Sequence, residues 1–167
     1  MIQTHYSNIN GANTLVALGA DEPIIVLYTA TLPLLPVEPC QGDQLNIAEL
    51  IALNGNHWRK IFSIYAKLLA PLADDWRHYR DHHLLHRAVQ IRLASAPTGS
   101  ELRIVAGKAS WEALACNTTT LEVIDKHAKL FVDNQTLCTP YFDYRQFPNS
   151  LVTSAREWLQ PRLQNRA

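Results

Sequence analysis

The hydrophobic positions of this chain fall into two continuous runs and several helically spaced stripes. Ile24-Ile25-Val26-Leu27-Tyr28 and Leu102-Arg103-Ile104-Val105-Ala106 are dominated by β-branched and other apolar residues. Runs of this kind predict strands buried on both faces, here two neighbours running parallel at the centre of a sheet. Between them the spacing predicts three helices. The first covers 45–53 and stops at Asn54-Gly55. The second covers about 57–70, is capped by Asn56, carries Trp58, Ile61, Phe62, Tyr65, Leu68 and Leu69 on one stripe, and ends at Pro71. The third covers about 75–95, starts at Asp74 or Asp75 and closes before Pro97-Thr98-Gly99.

After the second strand, Gly107 turns the chain into a short helix, 108–116. Extended segments 129–133 and 136–142 flank Asp133-Asn134-Gln135 and predict a hairpin. A last helix, capped by Asn149 or Ser150, runs to about 160 with Leu151, Ala155, Trp158 and Leu159 inward. Residues 1–22 read as polar and irregular around an apolar island at 15–18. Residues 31–42 read as an extended loop stiffened by Pro33, Pro36 and Pro39. Strands alternating with helices predict a single layered α/β domain over residues 1–167, with a mainly parallel central sheet flanked by helices.

Composition narrows the partners. The chain has 167 residues, 47% of them apolar, with four Trp, which is the composition of a folded globule. Fifteen basic and fifteen acidic residues cancel, so there is no bulk attraction to nucleic acid or to an anionic membrane. A local basic patch is compatible with Arg77, Arg80, Arg87 and Arg92; Arg156, Arg162 and Arg166 read as a solvated helix end. No apolar run is long enough to span a bilayer, and the first residues lack the basic and apolar regions of a signal peptide. Cys40, Cys116 and Cys138 form no regular framework, which predicts unbridged thiols in a cytoplasmic protein.

The densest chemistry lies in residues 138–149, where Tyr141, Phe142, Tyr144 and Phe147 stand among Asp143, Arg145, Gln146 and Asn149 between Pro140 and Pro148. Two prolines oppose a continuous helix, and an acid–base pair flanked by rings suits a planar polar ligand. The alternative is a structural loop whose rings plug the core. Gly107 and Lys108 form a strand-to-helix turn of the kind that holds anions, the alternative being a plain tight connection with a solvated lysine. It is not a phosphate-binding Walker loop, because that motif's first glycine would fall at Leu102, and no cofactor is expected. His57 stands at a helix start, where the dipole favours a neutral imidazole able to act as donor or base. His78, His82 and His86 recur one turn apart, but three successive turns span too far for one ion, so no metal is expected.

Residues 102–111 and 139–159 together resemble the uracil-DNA glycosylase superfamily. A strand leads into Gly107-Lys108-Ala109 and a short helix; a later strand leads into the Pro140-aromatic loop before a final helix. The loop-histidine position of that family corresponds to Tyr141, and residues 28–33 contain no acid where its water-activating motif would lie. What the resemblance implies is therefore chiefly the fold.

The expected function is binding of a small planar polar ligand, such as a nucleobase or nucleotide. The expected pocket is lined by the 29–42 loop with Gly107, Lys108, Tyr141, Asp143, Arg145 and Asn149. Two other functions fit the sequence. One is a divergent glycosylase-like hydrolase acting on nucleic acid, with Asp143 or His57 as base. The other is a protein-interaction module without a small ligand.

Overall fold

The computed structural model describes residues 2–37 and 45–167. At its centre β3 (Ile25–Thr29) lies between β4 (Val89–Leu93) and β5 (Leu102–Ala106), and β8 (Thr136–Thr139) pairs with the far side of β5. All three of these pairings are parallel. The two apolar runs are thus adjacent parallel strands, with Leu27 opposite Ile104. All five residues of β3 are buried, as two-sided burial requires.

The rest of the sheet corrects the expectation of a mainly parallel one. Its order is β1-β2-β4-β3-β5-β8-β7-β6, and β1 (Gln3–Ile9), β2 (Ala12–Gly19), β6 (Glu122–Val123) and β7 (Phe131–Val132) all add antiparallel. Residues expected to be irregular form the β1–β2 hairpin. Asn10 and Gly11 turn it with φ of 53° and 83°, and the Gly11 N–H donates to Asn8 Oδ1 at 3.0 Å. Positive φ at both central residues matches the right-handed strand twist, which is why Asn-Gly makes tight hairpins.

The third helix is also much shorter than expected. After α1 (Ile47–Asn54) and α2 (Asn56–Leu69), α3 covers only Trp76–His82. Leu85 and Arg87 then adopt left-handed φ of 64° and 50°, and β4 follows. The sheet is completed by α4 (Lys108–Ala113) after β5 and α5 (Asn149–Arg166) after β8; α5 runs through Pro161 rather than ending near 160. Asn46 caps α1 by accepting from the Glu49 N–H, and Gly55 lies between α1 and α2.

Two cores result from strand alternation. Ile25, Leu27, Ile104 and Leu137 face the large core with Leu50, Phe62, Tyr65, Phe142, Phe147 and Leu159. Val26, Tyr28, Val105 and Cys138 face the opposite side, covered by Trp111, Leu114, Cys116, Leu121 and Phe131. The parallel crossover from β4 to β5 uses no helix. Residues 94–101 run back across this second face, from Ala94 N–H on Thr29 O (2.9 Å) to Leu102 N–H on Ile24 O (2.9 Å).

That strap covers a buried hydrogen-bond network. The Tyr28 hydroxyl donates to Glu101 Oε1 at 2.6 Å, the Thr98 hydroxyl donates to the same oxygen at 3.0 Å, and the Thr98 N–H donates to the Tyr28 oxygen at 3.0 Å. Burial, followed by the Glu101 hydrogen bond, raises Tyr28 above its ordinary value. Burial also works upward on Glu101, but donors led by Tyr28 outweigh it and hold its carboxyl below the usual range.

Of the C-terminal arginines only Arg166 is exposed, and Arg156 and Arg162 are half-buried rather than solvated. Arg156 Nη1 donates to the carbonyls of Lys67, Leu68 and Ala70 at 2.7, 3.3 and 2.8 Å, and Gln160 joins at Leu68. These carbonyls end α2, where no intrahelical donor reaches them, so α5 caps α2 with a guanidinium. Arg162 stacks over Trp158, and Arg166 donates to the Ser100 carbonyl.

Candidate functional site

The carboxyl ends of β5 and β8 open onto the Gly107 turn and the 140–148 loop, where parallel sheets carry their ligands. Gly107 has φ 82° and ψ 156°, a region essentially reserved for glycine, and its N–H donates to the Thr139 carbonyl at 3.0 Å. A Cβ there would meet the Tyr141 ring. Tyr141 is therefore seated directly on the turn that starts α4.

A cleft of 520 Å³ runs alongside. Its walls include Lys108, Trp111 and Glu112 of α4, Lys129 and Phe131 before and in β7, and Pro140, Tyr141 and Gln146. The Trp111 indole donates to the Val105 carbonyl at 2.9 Å and meets Phe131 edge-on with centroids 5.7 Å apart. These contacts fix two rings of the wall.

On the side of α2 the geometry is different. Tyr141 is hydrogen-bonded to His57 Nε2 and lies nearly parallel to that ring, with centroids 5.6 Å apart. Burial, then the Asp143 charge, raises the Tyr141 hydroxyl above its ordinary value, so the hydroxyl keeps its proton. Asp143 Oδ2 accepts from Lys60 Nζ at 2.9 Å and Oδ1 accepts the Arg145 N–H at 2.9 Å. The Lys60 hydrogen bond, aided by that N–H, holds the Asp143 carboxyl below the usual range. Lys67 donates to Asn149 Oδ1 at 3.1 Å, and Lys60 and Lys67 both approach the Tyr144 ring, at 5.8 and 5.3 Å.

The residues expected to share one pocket are divided. Lys108 and Tyr141 line the cleft, and Gly107 supports Tyr141 from beneath. Asp143 and Asn149 instead reach α2 through Lys60 and Lys67, and Arg145 is exposed, contributing its backbone N–H rather than an ion pair with Asp143. The loop does not stay extended past Pro140. Asp143 N–H bonds Tyr141 O, Phe147 N–H bonds Asp143 O, and the chain turns so that Phe142 and Phe147 are buried while Tyr144 is exposed. His57 is exposed in the first turn of α2.

Of the 29–42 loop, residues 29–37 are described; Pro39 and Cys40 lie outside the described residues. Sequence reasoning did not single out Trp111, Lys129 or Phe131. They come from separate segments whose only signal is that each follows a strand or precedes one.

The His78 ring meets His82 at a tilt and His83 edge-on, with centroids 4.6 and 5.3 Å apart. Among the described residues no group of three or more His, Cys, Asp or Glu has the arrangement to hold a metal ion, and no helix is long and apolar enough to cross a membrane.

No curated protein and no solved structure matches the chain. A family model does match, over residues 16–160, which takes in the parallel core, the Gly107 turn, the cleft and most of α5. The chain accordingly belongs to DUF6942, a family of unknown function.

Proposed function

We propose that this protein binds a small planar polar ligand, of the nucleobase or nucleotide class, in the cleft between Tyr141 and Trp111. One observation carries the reading. A 520 Å³ cleft opens beside the carboxyl ends of two parallel strands, and its walls combine Trp111, Phe131 and Tyr141 with two lysines. That volume falls within the range of small-molecule sites. Ring faces offer stacking to a flat heterocycle, while Lys108 and Lys129 attract phosphate or carbonyl oxygens. Glu112, Thr118 and Gln146 supply acceptors and donors for the ligand's polar edge.

The test is a thermal-shift and calorimetric screen against nucleobases, nucleosides and mononucleotides. A bound ligand raises the melting temperature by mass action, and Tyr141→Ala or Lys129→Ala removes that rise. No shift at millimolar ligand, or a shift that survives both substitutions, rules the reading out.

The Tyr141–His57 hydrogen bond favours a second reading, a glycosylase-like hydrolase acting on nucleic acid. Both Asp143 oxygens are engaged by Lys60 and the Arg145 N–H, which leaves His57 as the base. Release of free base from a uracil-containing single-stranded oligonucleotide, lost in His57→Ala, is the expected result. Equal background release from both proteins excludes it.

A further inference from the structure

We propose that Cys116 and Cys138 form a peroxide-sensitive dithiol that closes to an intramolecular disulfide beside the cleft. Both are free thiols in the structure. Cys138 lies on β8, fully buried, opposite Val105 on one side and Phe131 on the other. Cys116 follows α4 and packs against the same small core. Its N–H reaches back to the Trp111 carbonyl at 2.9 Å, and the preceding Ala115 has a left-handed φ of 53°. This reversal turns Cys116 inward, where it lines the same cavities as Val105 and Phe131, the two cross-strand neighbours of Cys138.

Access is asymmetric. Cys116 is half-buried and lines two openings: the aromatic cleft, and a second cavity of 220 Å³ with Arg103, Asn117, Asp133 and Thr136. A peroxide can reach Cys116, whereas Cys138 is shielded behind it. Reactivity has the same asymmetry. The Cys138 thiol donates to Cys116 and lowers it below the ordinary thiol value; Arg103 adds to this, while burial and Asp133 oppose it. The same hydrogen bond, with burial and the nearby charges of Cys116 and Asp133, raises Cys138. Thiolate character at an accessible sulfur is what selects a cysteine for oxidation, and a second thiol alongside resolves the product.

The chemistry balances. The Cys116 thiolate attacks one oxygen of hydrogen peroxide, the O–O bond breaks, and hydroxide leaves to become water by taking up the proton Cys116 had released. Cys116 is then a sulfenic acid. The Cys138 sulfur attacks Cys116 Sγ, the S–O bond breaks, and the hydroxyl departs with the Cys138 proton as a second water. Two thiols and one peroxide give one disulfide and two waters. The bond ties the end of α4 to β8 and encloses Lys129 and Phe131, so oxidation changes the wall of the cleft. The disulfide itself does not depend on what the cleft binds.

The experiment treats the full chain, and its Cys40→Ser variant, with hydrogen peroxide at neutral pH, then alkylates and maps peptides. The expected product of Cys40→Ser has lost two hydrogens, carries no alkylated cysteine, yields a Cys116–Cys138 linked peptide and is restored by dithiothreitol. Cys138→Ser stops at a sulfenic acid on Cys116 that dimedone traps. In Cys116→Ser, Cys138 oxidises at least about ten-fold more slowly. Alkylation of both thiols after peroxide overturns the proposal. So does a dimedone adduct on Cys138, or pairing of Cys40 with either residue in the full chain.

Discussion

A Cβ on Gly107 would stand 3.0 Å from Cδ2 of Tyr141, and the absence of that carbon lets the ring rest against the β5–α4 turn. The same Tyr141 divides the carboxyl end of the sheet, with the cleft on one side and the His57 contact on the other. Gly107→Ala therefore combines two penalties. The backbone conformation is one that L side chains avoid, at roughly 1–3 kcal/mol, and Tyr141 must shift. Chemical denaturation should show the loss of stability. Any ligand-induced thermal shift should fall with it, whereas Ala109→Ser, at an exposed position on α4, should change neither.

Phe142 and Tyr144 should separate sharply. Phe142 is buried against Tyr65 and Phe147, with centroids 6.5 and 5.4 Å away. Truncating it to Ala removes a core ring, at roughly 3–5 kcal/mol. Tyr144 is 41% exposed and touches mainly the Lys60 and Lys67 ammonium groups. Its loss should cost about 1 kcal/mol or less. Equal destabilisation in urea melts would contradict this view of the loop.

The split between these two rings marks where sequence reading stops. The β3 and β5 runs were legible because two-sided burial leaves an unbroken apolar signature. β1 left none, since six of its seven residues are exposed, and only Asn10-Gly11 announced the hairpin. β4 was read as the tail of a helix begun at Asp74 or Asp75 because no proline or glycine interrupts the chain before Pro97, although the alternation of Val89, Ile91 and Leu93 is a strand period. Tyr141 was visible in its Pro-aromatic context. The turn at Asp143 was not, because it depends on Lys60, more than eighty residues earlier in the chain. The cleft escaped for a similar reason: Trp111, Phe131 and Tyr141 meet only when α4, β7 and the β8 loop converge.

Asp143 and Arg145, two residues apart, should behave oppositely. Asp143→Ala removes the acceptor for both Lys60 and the Arg145 N–H, so the melting temperature should fall. Arg145→Ala retains the backbone N–H and should leave it nearly unchanged. A matching fall in both variants would restore an Arg145 side-chain role that the geometry does not contain.

Arg156 should be intolerant of a nominally conservative change. Its Nη1 serves three carbonyls at the end of α2 from a half-buried position on α5. Hydrogen bonds from a charged group contribute roughly 1.5–3 kcal/mol, so Arg156→Ala should lose about that much. Lysine has a single ammonium on a flexible stem and cannot reproduce the planar fork. Arg156→Lys should recover only part of the stability, and hydrogen exchange should speed up at the α2 terminus. Full recovery by lysine would mean that charge near the helix end matters and the fork does not.

The strap over the second face makes a prediction with a definite sign in pH. Glu101 has its carboxyl held below the usual range in the folded state by donors led by Tyr28. A depressed carboxyl binds fewer protons folded than unfolded. Its stabilisation is therefore complete above the ordinary carboxylate range and is lost as pH falls through the folded value. Tyr28→Phe deletes the principal donor and leaves Glu101 buried with the Thr98 hydroxyl and backbone. Near neutral pH this should cost roughly 1–3 kcal/mol, the usual penalty for depriving a buried polar group of its partner. The difference between wild type and Tyr28→Phe should then shrink on acidification, because protonation removes the charge that Tyr28 was satisfying. The double change Tyr28→Phe with Glu101→Gln should show little of this acid dependence. Denaturant melts at several pH values measure all three proteins. A wild-type advantage over Tyr28→Phe that grows as pH falls has the wrong sign for a depressed carboxyl, and would mean that Glu101 is protonated beneath the strap.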